Sequence, residues 1–455
     1  MFKKSLTILS IASAFYLQAQ DVSIIRNSVD VYSANPLSGS AKFNAMAGSM
    51  GALGGDLSAI NTNPASVGVF ITGNVSGTLA VNNSKTTSSF SNVANSYKLN
   101  NADLGQLGGV AVFATSGNTP WKFINFGVNY TNTNLEDYIE TPRNDSYTFQ
   151  DEVKDYNSGN MVTGTLTSKG HAYNRTGSLT NLNIALGGNY DNKFYVGASL
   201  NFKGSNFEQY DTSRLYLDID DDTYELNKQG TPYAEDSNGF SFSAGVIGKL
   251  NNNFRLGLAL ESPTWWTINR TFYEVGYEDE YGDPPYIEDR KLSSPMKATI
   301  SGAFVANKNF ALNVDYTLGL SKPKYKVQGT PESDLNSFFN NQFKNLSELK
   351  VGGEYRYNNF RLRGGYAIAN SPFEKIYGEN NFIGKKETLG AGVGFDFKSF
   401  YVDAAYNRVK TNSTNVYGDG KYYFENTEIV YNAIPFTSNL EDIRNIVTLT
   451  VGWKF

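Results

Sequence analysis

The sequence has no cysteine among its 455 residues, which removes disulfide scaffolds, thiol catalysis and cysteine zinc sites together. Charge is sparse as well: 18% of residues are charged, against about 25% in soluble domains. After residue 20 there is no run of about 18 uncharged apolar residues, so the chain does not cross a membrane as a helical bundle. A formal net charge of -5 gives no footing for a nucleic-acid partner. What replaces the missing charge is 43 glycines, 30 tyrosines, 30 phenylalanines and many asparagines.

Met1-Phe2-Lys3-Lys4 is a short basic start, Leu6 to Leu17 is mostly apolar, and Ala19 is a small residue suited to cleavage. This is the pattern of a secretory signal peptide, expected over residues 1–19. The apolar stretch is too short for a membrane anchor, and no cysteine follows to carry a lipid.

The body of the chain alternates. Val447, Leu449, Val451, Trp453 and Phe455 oppose Thr448, Thr450, Gly452 and Lys454. Leu389, Ala391, Val393, Phe395 and Phe397 oppose Gly390, Gly392, Gly394, Asp396 and Lys398, and the same holds from Phe310 to Leu318. Period two with one apolar face predicts β-strands. Every charge falls on the second face, yet that face is mostly Gly, Ser, Thr and Asn, unlike the charged exterior of a soluble sandwich.

Very short connections recur at Asp191-Asn192-Lys193, Asn251-Asn252-Asn253, Asn307-Lys308-Asn309, Asn358-Asn359 and Lys398-Ser399. Long polar ones lie at about 134–179, 208–237, 263–293, 322–345, 369–384 and 411–441. Short turns on one side and long connections on the other are the layout of an outer-membrane barrel. Strands are predicted near 72–83, 105–115, 123–132, 180–190, 193–206, 238–250, 253–262, 295–306, 309–320, 346–357, 359–369, 385–397, 399–410 and 443–455. The count, fourteen, is even, as single-chain bacterial barrels require, and lipid demands that the cylinder close. Trp121, Trp453 and Phe455 fall at the short-turn rim, where aromatic girdles sit.

Fourteen strands leave a wide bore, since about eight are filled by their own side chains and sixteen or more leave an aqueous channel. Roughly fifty residues precede the first strand and read differently. From Ser40 to Ala65 they are small, with repeated glycines suited to tight turns packed closely on a wall. The expected fold class is therefore all-β: a 14-stranded antiparallel transmembrane β-barrel over residues 72–455, with residues 20–71 as an N-terminal hatch, or plug, inside the lumen.

On the small-residue stretch leading into Asn63-Pro64-Ala65, the fourteen predicted strands and the terminal Phe455, the chain resembles the FadL-like outer-membrane transport family, the channels for long-chain fatty acids and other hydrophobic compounds. The resemblance covers the mature chain in architecture and about thirty residues in motif. It implies that Asn63, Pro64 and Ala65, with Gly54 and Gly55 beside them, are hatch residues. It implies that the loops after the fifth and seventh strands, carrying Leu215, Leu217, Trp265, Trp266 and Phe272, form a greasy surface where ligand lands. It also implies sideways release through a gap at a kinked strand. Gly127 on the third strand is the candidate kink, because strand glycines mark bulges and bends.

Lys203 and Lys297 are expected near the upper lumen, where a cation would hold a carboxylate head while apolar walls take the tail. Arg255, Glu354, Arg356, Arg361, Arg363, Asp396 and Asp403 lie near short turns and are expected to brace the wall against the hatch, with Lys42 or Asp56 as partners. Gly51, Gly54 and Gly55 lack the lysine of a phosphate loop. Asp218, Asp220 and Asp222 open like a calcium loop, but Thr223 and Gln229 stand where it needs glycine and glutamate. His171, the one histidine, has no nucleophile marked beside it. No catalytic residue, metal or cofactor is expected.

The combined expectation is passive transport of hydrophobic molecules such as fatty acids across the bacterial outer membrane, by a monomer surrounded by outer-membrane lipid. The alternative is a carrier or docking subunit of a Bacteroidetes-type protein secretion system, built on the same fold with a lumen sealed against small ligands. A general polar pore is a third possibility.

Overall fold

The computed structural model describes residues 19–154, 160–219, 222–272, 286–373, 382–418, 420–423, 430–433 and 436–455. The expected signal peptide, apart from Ala19, lies outside the described residues.

Fourteen long strands form one ring: β1 Asn74–Phe90, β2 Val93–Ala114, β3 Trp121–Asn134, β4 Met161–Tyr190, β5 Phe194–Ile219, β6 Asp222–Lys249, β7 Phe254–Glu261, β8 Lys297–Val305, β9 Phe310–Gly319, β10 Ser347–Tyr357, β11 Phe360–Ala369, β12 Lys385–Asp396, β13 Phe400–Tyr417 and β14 Phe436–Lys454. Each pairs antiparallel with its neighbours in the chain. β14 then pairs back onto β1, from Asn74↔Lys454 to Ser89↔Asn439, so no open edge is left. The predicted all-β barrel, its strand count and its strand order are all present.

Alternation decides which face goes where. On β14, Val447 and Leu449 are 51% and 47% exposed while Thr448 and Thr450 are buried. Leu79, Phe126, Leu186, Leu200, Leu258, Ile300, Leu362 and Val393 continue the outward apolar belt around the ring. So large a continuous apolar surface fits lipid and not water. Trp121, Trp453 and Phe455 are exposed at the short-turn rim, as expected.

The long connections differ from expectation. The predicted connection 208–237 is a hairpin, with β5 running to Ile219 and β6 starting at Asp222, and β4 already starts at Met161. Alternation fades there because the strands have left the apolar layer, so water-facing positions no longer need apolar residues. Strands Trp265–Phe272 and Tyr286–Ser293 carry the walls of β7 and β8 upward beyond short breaks at 262–264 and 294–296.

The residues before β1 form helix α1, Ala19–Asp30, helix α2, Ala41–Ala45, and 3₁₀ turns Leu57–Asn61 and Pro64–Val69. Ala41 bonds to Thr450 of β14, Asn44 to Asn407 of β13, Ser49 to Asn313 of β9, Asn63 to Val246 of β6, and Val67 to Asn125 of β3. Only a position inside the ring reaches inward residues on so many sides of it.

Candidate functional site

The lower lumen, nearest the short turns, is filled by residues 39–70 through polar contacts and close backbone approach. Asn63 is fully buried and caps the turn that Pro64 begins, its side-chain oxygen accepting from the Ala65 N–H at 3.0 Å. Its amide donates to the Gly51 carbonyl at 2.9 Å and to the Val246 carbonyl of β6 at 3.3 Å. One side chain thus joins two parts of the N-terminal segment to the wall. Gly54 and Gly55 have φ of +62° and +68°, a conformation that other residues adopt at a cost. Asp315 on β9 accepts from the Met50 and Gly51 N–H groups at 2.9 and 3.0 Å. A Cβ added to Gly365 on β11 would fall onto the Met46 backbone carbonyl.

The inward charges pair mainly within the wall. Arg363 lies 2.6 Å from both Glu354 and Asp403, and Arg356 lies 2.6 Å from Glu354. Lys42 and Asp56, expected as their partners, are used inside the N-terminal segment instead. Lys42 donates to the Gly55 carbonyl at 3.1 Å, and Asp56 caps the turn through the Ser58 N–H at 2.9 Å. At this lower level Arg255 is a wall cation that reaches across, donating to the Leu53 carbonyl at 3.1 Å.

Above this layer lies a cavity of about 90 Å³ between Tyr32, Asn35, Leu37, Asn181, Lys203 and Glu261. Ligand pockets begin at roughly 300 Å³, so as packed it holds water or a very small molecule. Lys203 lines this cavity and Lys297 reaches Asn35 at its edge, and neither ammonium is free. Lys203 pairs with Glu261 at 2.9 Å and Thr264 at 3.1 Å, and Lys297, opposite Glu261 in the β7–β8 register, donates to Asn35 at 2.8 Å. The lining is richer in amides, hydroxyls and ion pairs than the apolar pocket the resemblance implies.

The upper lumen is apolar, and α1 occupies it. Ile24, Ile25, Val29, Val31 and Tyr32 pack in one cluster with Trp266, Phe272, Phe207, Tyr325, Phe339 and Phe373. Phe339 and Leu335 come from helix α3, Thr330–Gln342, in the connection after β9. The polar side of α1 is matched too. Asn27 bonds to Gln209, Tyr233 and Arg175, and Ser28 to Tyr325. The Trp266 indole donates to the Tyr32 carbonyl at 3.1 Å. The Tyr32 hydroxyl donates to Glu235, which also binds the buried guanidinium of Arg270. Burial, then the Glu235 carboxylate, push the Tyr32 phenol well above its usual range, so it stays a donor.

The five apolar candidates separate. Trp266 and Phe272 face α1. Trp265, one residue away on a strand, points outward, 46% exposed, beside Phe240 and Phe242. Leu215 and Leu217 join a different cluster, with Phe90, Leu166, Tyr417 and Phe436, in which extended strands from opposite walls pack together above the barrel. These residues therefore stand on strands, in three different surroundings, and do not form one open loop groove. The expected kink at Gly127 is corrected as well. Gly127 pairs with Val110 and Ala185 in unbroken ladders, and a Cβ there would lie 3.2 Å from Val67. The glycine makes room for the N-terminal segment, so close approach explains it without a bend.

His171 is buried, 2.8 Å from Asp211, and stacked on Tyr417, which makes it part of that upper closure. Of the acidic trio, Asp220 lies outside the described residues, and Asp218 pairs with Thr223 at the hairpin end. Sequence reasoning missed Glu235, Arg270 and Tyr32. Glu235 and Arg270 become partners only through the cross-strand register, which the local pattern does not reveal.

No protein-family model and no curated protein matches the sequence. Among solved structures, the chain is similar in fold to a FadL homologue of Pseudomonas aeruginosa, with a TM-score of 0.56 and 12% identity over 93% of this chain and 99% of that one. It is likewise similar to the toluene transporter TbuX of Ralstonia pickettii, with a TM-score of 0.52 and 15% identity over 92% and 99% of the two chains. For the toluene transporter TodX of P. putida the values are 0.51 and 14%, over 92% and 99%. The fold class these likenesses define is the closed fourteen-stranded antiparallel barrel.

Proposed function

We infer that this chain is an outer-membrane channel for passive, energy-independent passage of hydrophobic compounds. Residues 1–19 serve as its signal peptide, 20–71 as its hatch and 72–455 as its barrel. The observation that carries this reading is an N-terminal segment seated inside a closed barrel with an apolar exterior, in a fold similar to toluene transporters. Ligand enters among Trp266, Phe272 and the aromatic residues around α1, passes the Lys203–Glu261–Lys297 level, and leaves when the hatch shifts. The chain acts as a monomer, and a fatty-acid-like or aromatic molecule satisfies the upper cluster.

One observation favours a second reading. Strands pack together above the barrel, α1 fills the upper lumen, and the cavity beneath is small, as expected of a docking subunit whose lumen excludes small ligands. Mass spectrometry of the gently extracted protein separates the two. Stoichiometric hydrophobic compounds in the purified barrel support the channel. An empty lumen with a stoichiometric protein partner overturns it in favour of docking. Large steady conductance of the intact protein in planar bilayers sinks both and leaves the polar pore.

A further inference from the structure

On the outer surface above β8 and β9, lysines gather on adjoining strands. Lys291 lies on the strand Tyr286–Ser293, Lys324 on the short strand Lys324–Tyr325, and Lys326 follows directly. Leu292 pairs with Tyr325 and Ser293 with Lys324, and the Lys326 N–H donates to the Lys291 carbonyl at 2.8 Å. Leu292 and Tyr325 are buried inward, so alternation turns Lys291, Lys324 and Lys326 outward, and all three are exposed. Lys291 and Lys326 face each other across the pair, an arrangement that repels. Among the described residues the acids nearby are few. Glu288 is taken by Arg270 and Arg290, and Glu332 by Arg290. Asp289 is exposed on the same strand face, and Asp334 on α3. No ion pair is formed by the three lysines among the described residues.

Height gives the cluster its meaning. Trp265 sits opposite Ser293, exposed at the level where tryptophans mark a membrane interface, and Ile300, Tyr316 and Leu320 extend the apolar belt below it. The lysines thus begin where the lipid tails end. The same device recurs on the β1–β2 hairpin, where exposed Lys85 stands opposite Lys98, just above the outward Val81 and Leu104. Like charges placed opposite each other at headgroup height are stabilised by an anion supplied from the membrane.

We propose that the upper rim binds phosphate-bearing lipid headgroups of the outer leaflet, with Lys291, Lys324 and Lys326 as the principal site. This rests on the outer-membrane placement above. The phosphates neutralise the opposed ammoniums while the acyl chains lie along the Ile300, Tyr316 and Leu320 face. The barrel is then anchored at a set height and rotation by a lipid.

The test uses the full mature protein in neutral detergent, with native mass spectrometry reading binding of bisphosphorylated lipid A, its dephosphorylated form, and inorganic phosphate. Wild type is expected to retain the phosphorylated lipid, and K291A/K324A/K326A to bind it about tenfold or more weakly. K291R/K324R/K326R should bind as wild type does, which separates charge from folding damage. Equal binding by wild type and the alanine variant overturns the proposal, as does equal retention of the dephosphorylated lipid or saturation of the site by phosphate alone. Failure of wild type to insert into vesicles as a heat-modifiable barrel would instead strike the outer-membrane placement.

Discussion

The N-terminal segment meets the wall in two ways at the two ends of the lumen. Near the short turns, Asp315 and Asn407 of the wall bind its backbone directly, Asn63 of the segment bonds to the Val246 carbonyl of the wall, and Gly365 lets segment and wall touch. At the far end, α1 lies among aromatic rings, with Trp266, Phe339 and Phe373 around Ile24, Ile25 and Val29. Backbone hydrogen bonds and glycine contacts are directional and fail at small displacements, whereas an apolar cluster tolerates repacking. In the channel proposed above, the lower end holds position and the upper end is the part that an apolar molecule replaces.

Four variants sharpen or break this contrast. Arg363→Ala, at the lower end, leaves buried Asp403 without its cation and Glu354 with Arg356 alone, and should cost about 3–5 kcal/mol, read as a lowered barrel melting temperature by circular dichroism. Ile25→Ala, at the upper end, should cost about 2–4 kcal/mol for α1 seating. It should raise binding of an apolar fluorescent probe without raising ion conductance. Asn63→Ala loses a cap and the bonds to the Gly51 and Val246 carbonyls, roughly 2–3 kcal/mol, and should do the reverse: bilayer conductance appears while probe binding is unchanged. If Ile25→Ala opens conductance and Asn63→Ala does not, the roles of the two ends are exchanged. Lys410→Ala, in an exposed pair with Glu441, should shift melting by less than about 0.5 kcal/mol and serves as the control.

Much of the fold was legible because lipid enforces a strict pattern. Val447, Leu449 and Trp453 had to point outward, and Thr448 and Thr450 inward, so period two was written into the chain. Where β4, β5 and β6 rise above the lipid, that constraint lapses, and the same strands read as polar loops. The site was legible in part. Asn63-Pro64-Ala65 marked the segment that enters the barrel, since a capped turn is a local event. Lys203 and Lys297 were named as candidates, but their engagement by Glu261 and Asn35, which lie far away in sequence, was not visible. Gly127 carried the wrong reason, because a glycine's absent side chain does not tell a bend from a neighbour's approach.

What the sequence determined by itself was the closed, lipid-facing cylinder and the small-residue segment before it. Alternation and turn length are properties of short windows and need no partner to be read. What only the tertiary structure decided was how the lumen is filled: α1 in the aromatic upper end, wall charges satisfied by one another, and extended strands packed together above the barrel. Those outcomes depend on strand register and on which walls face each other across the ring, and neither is a property of any local stretch of chain.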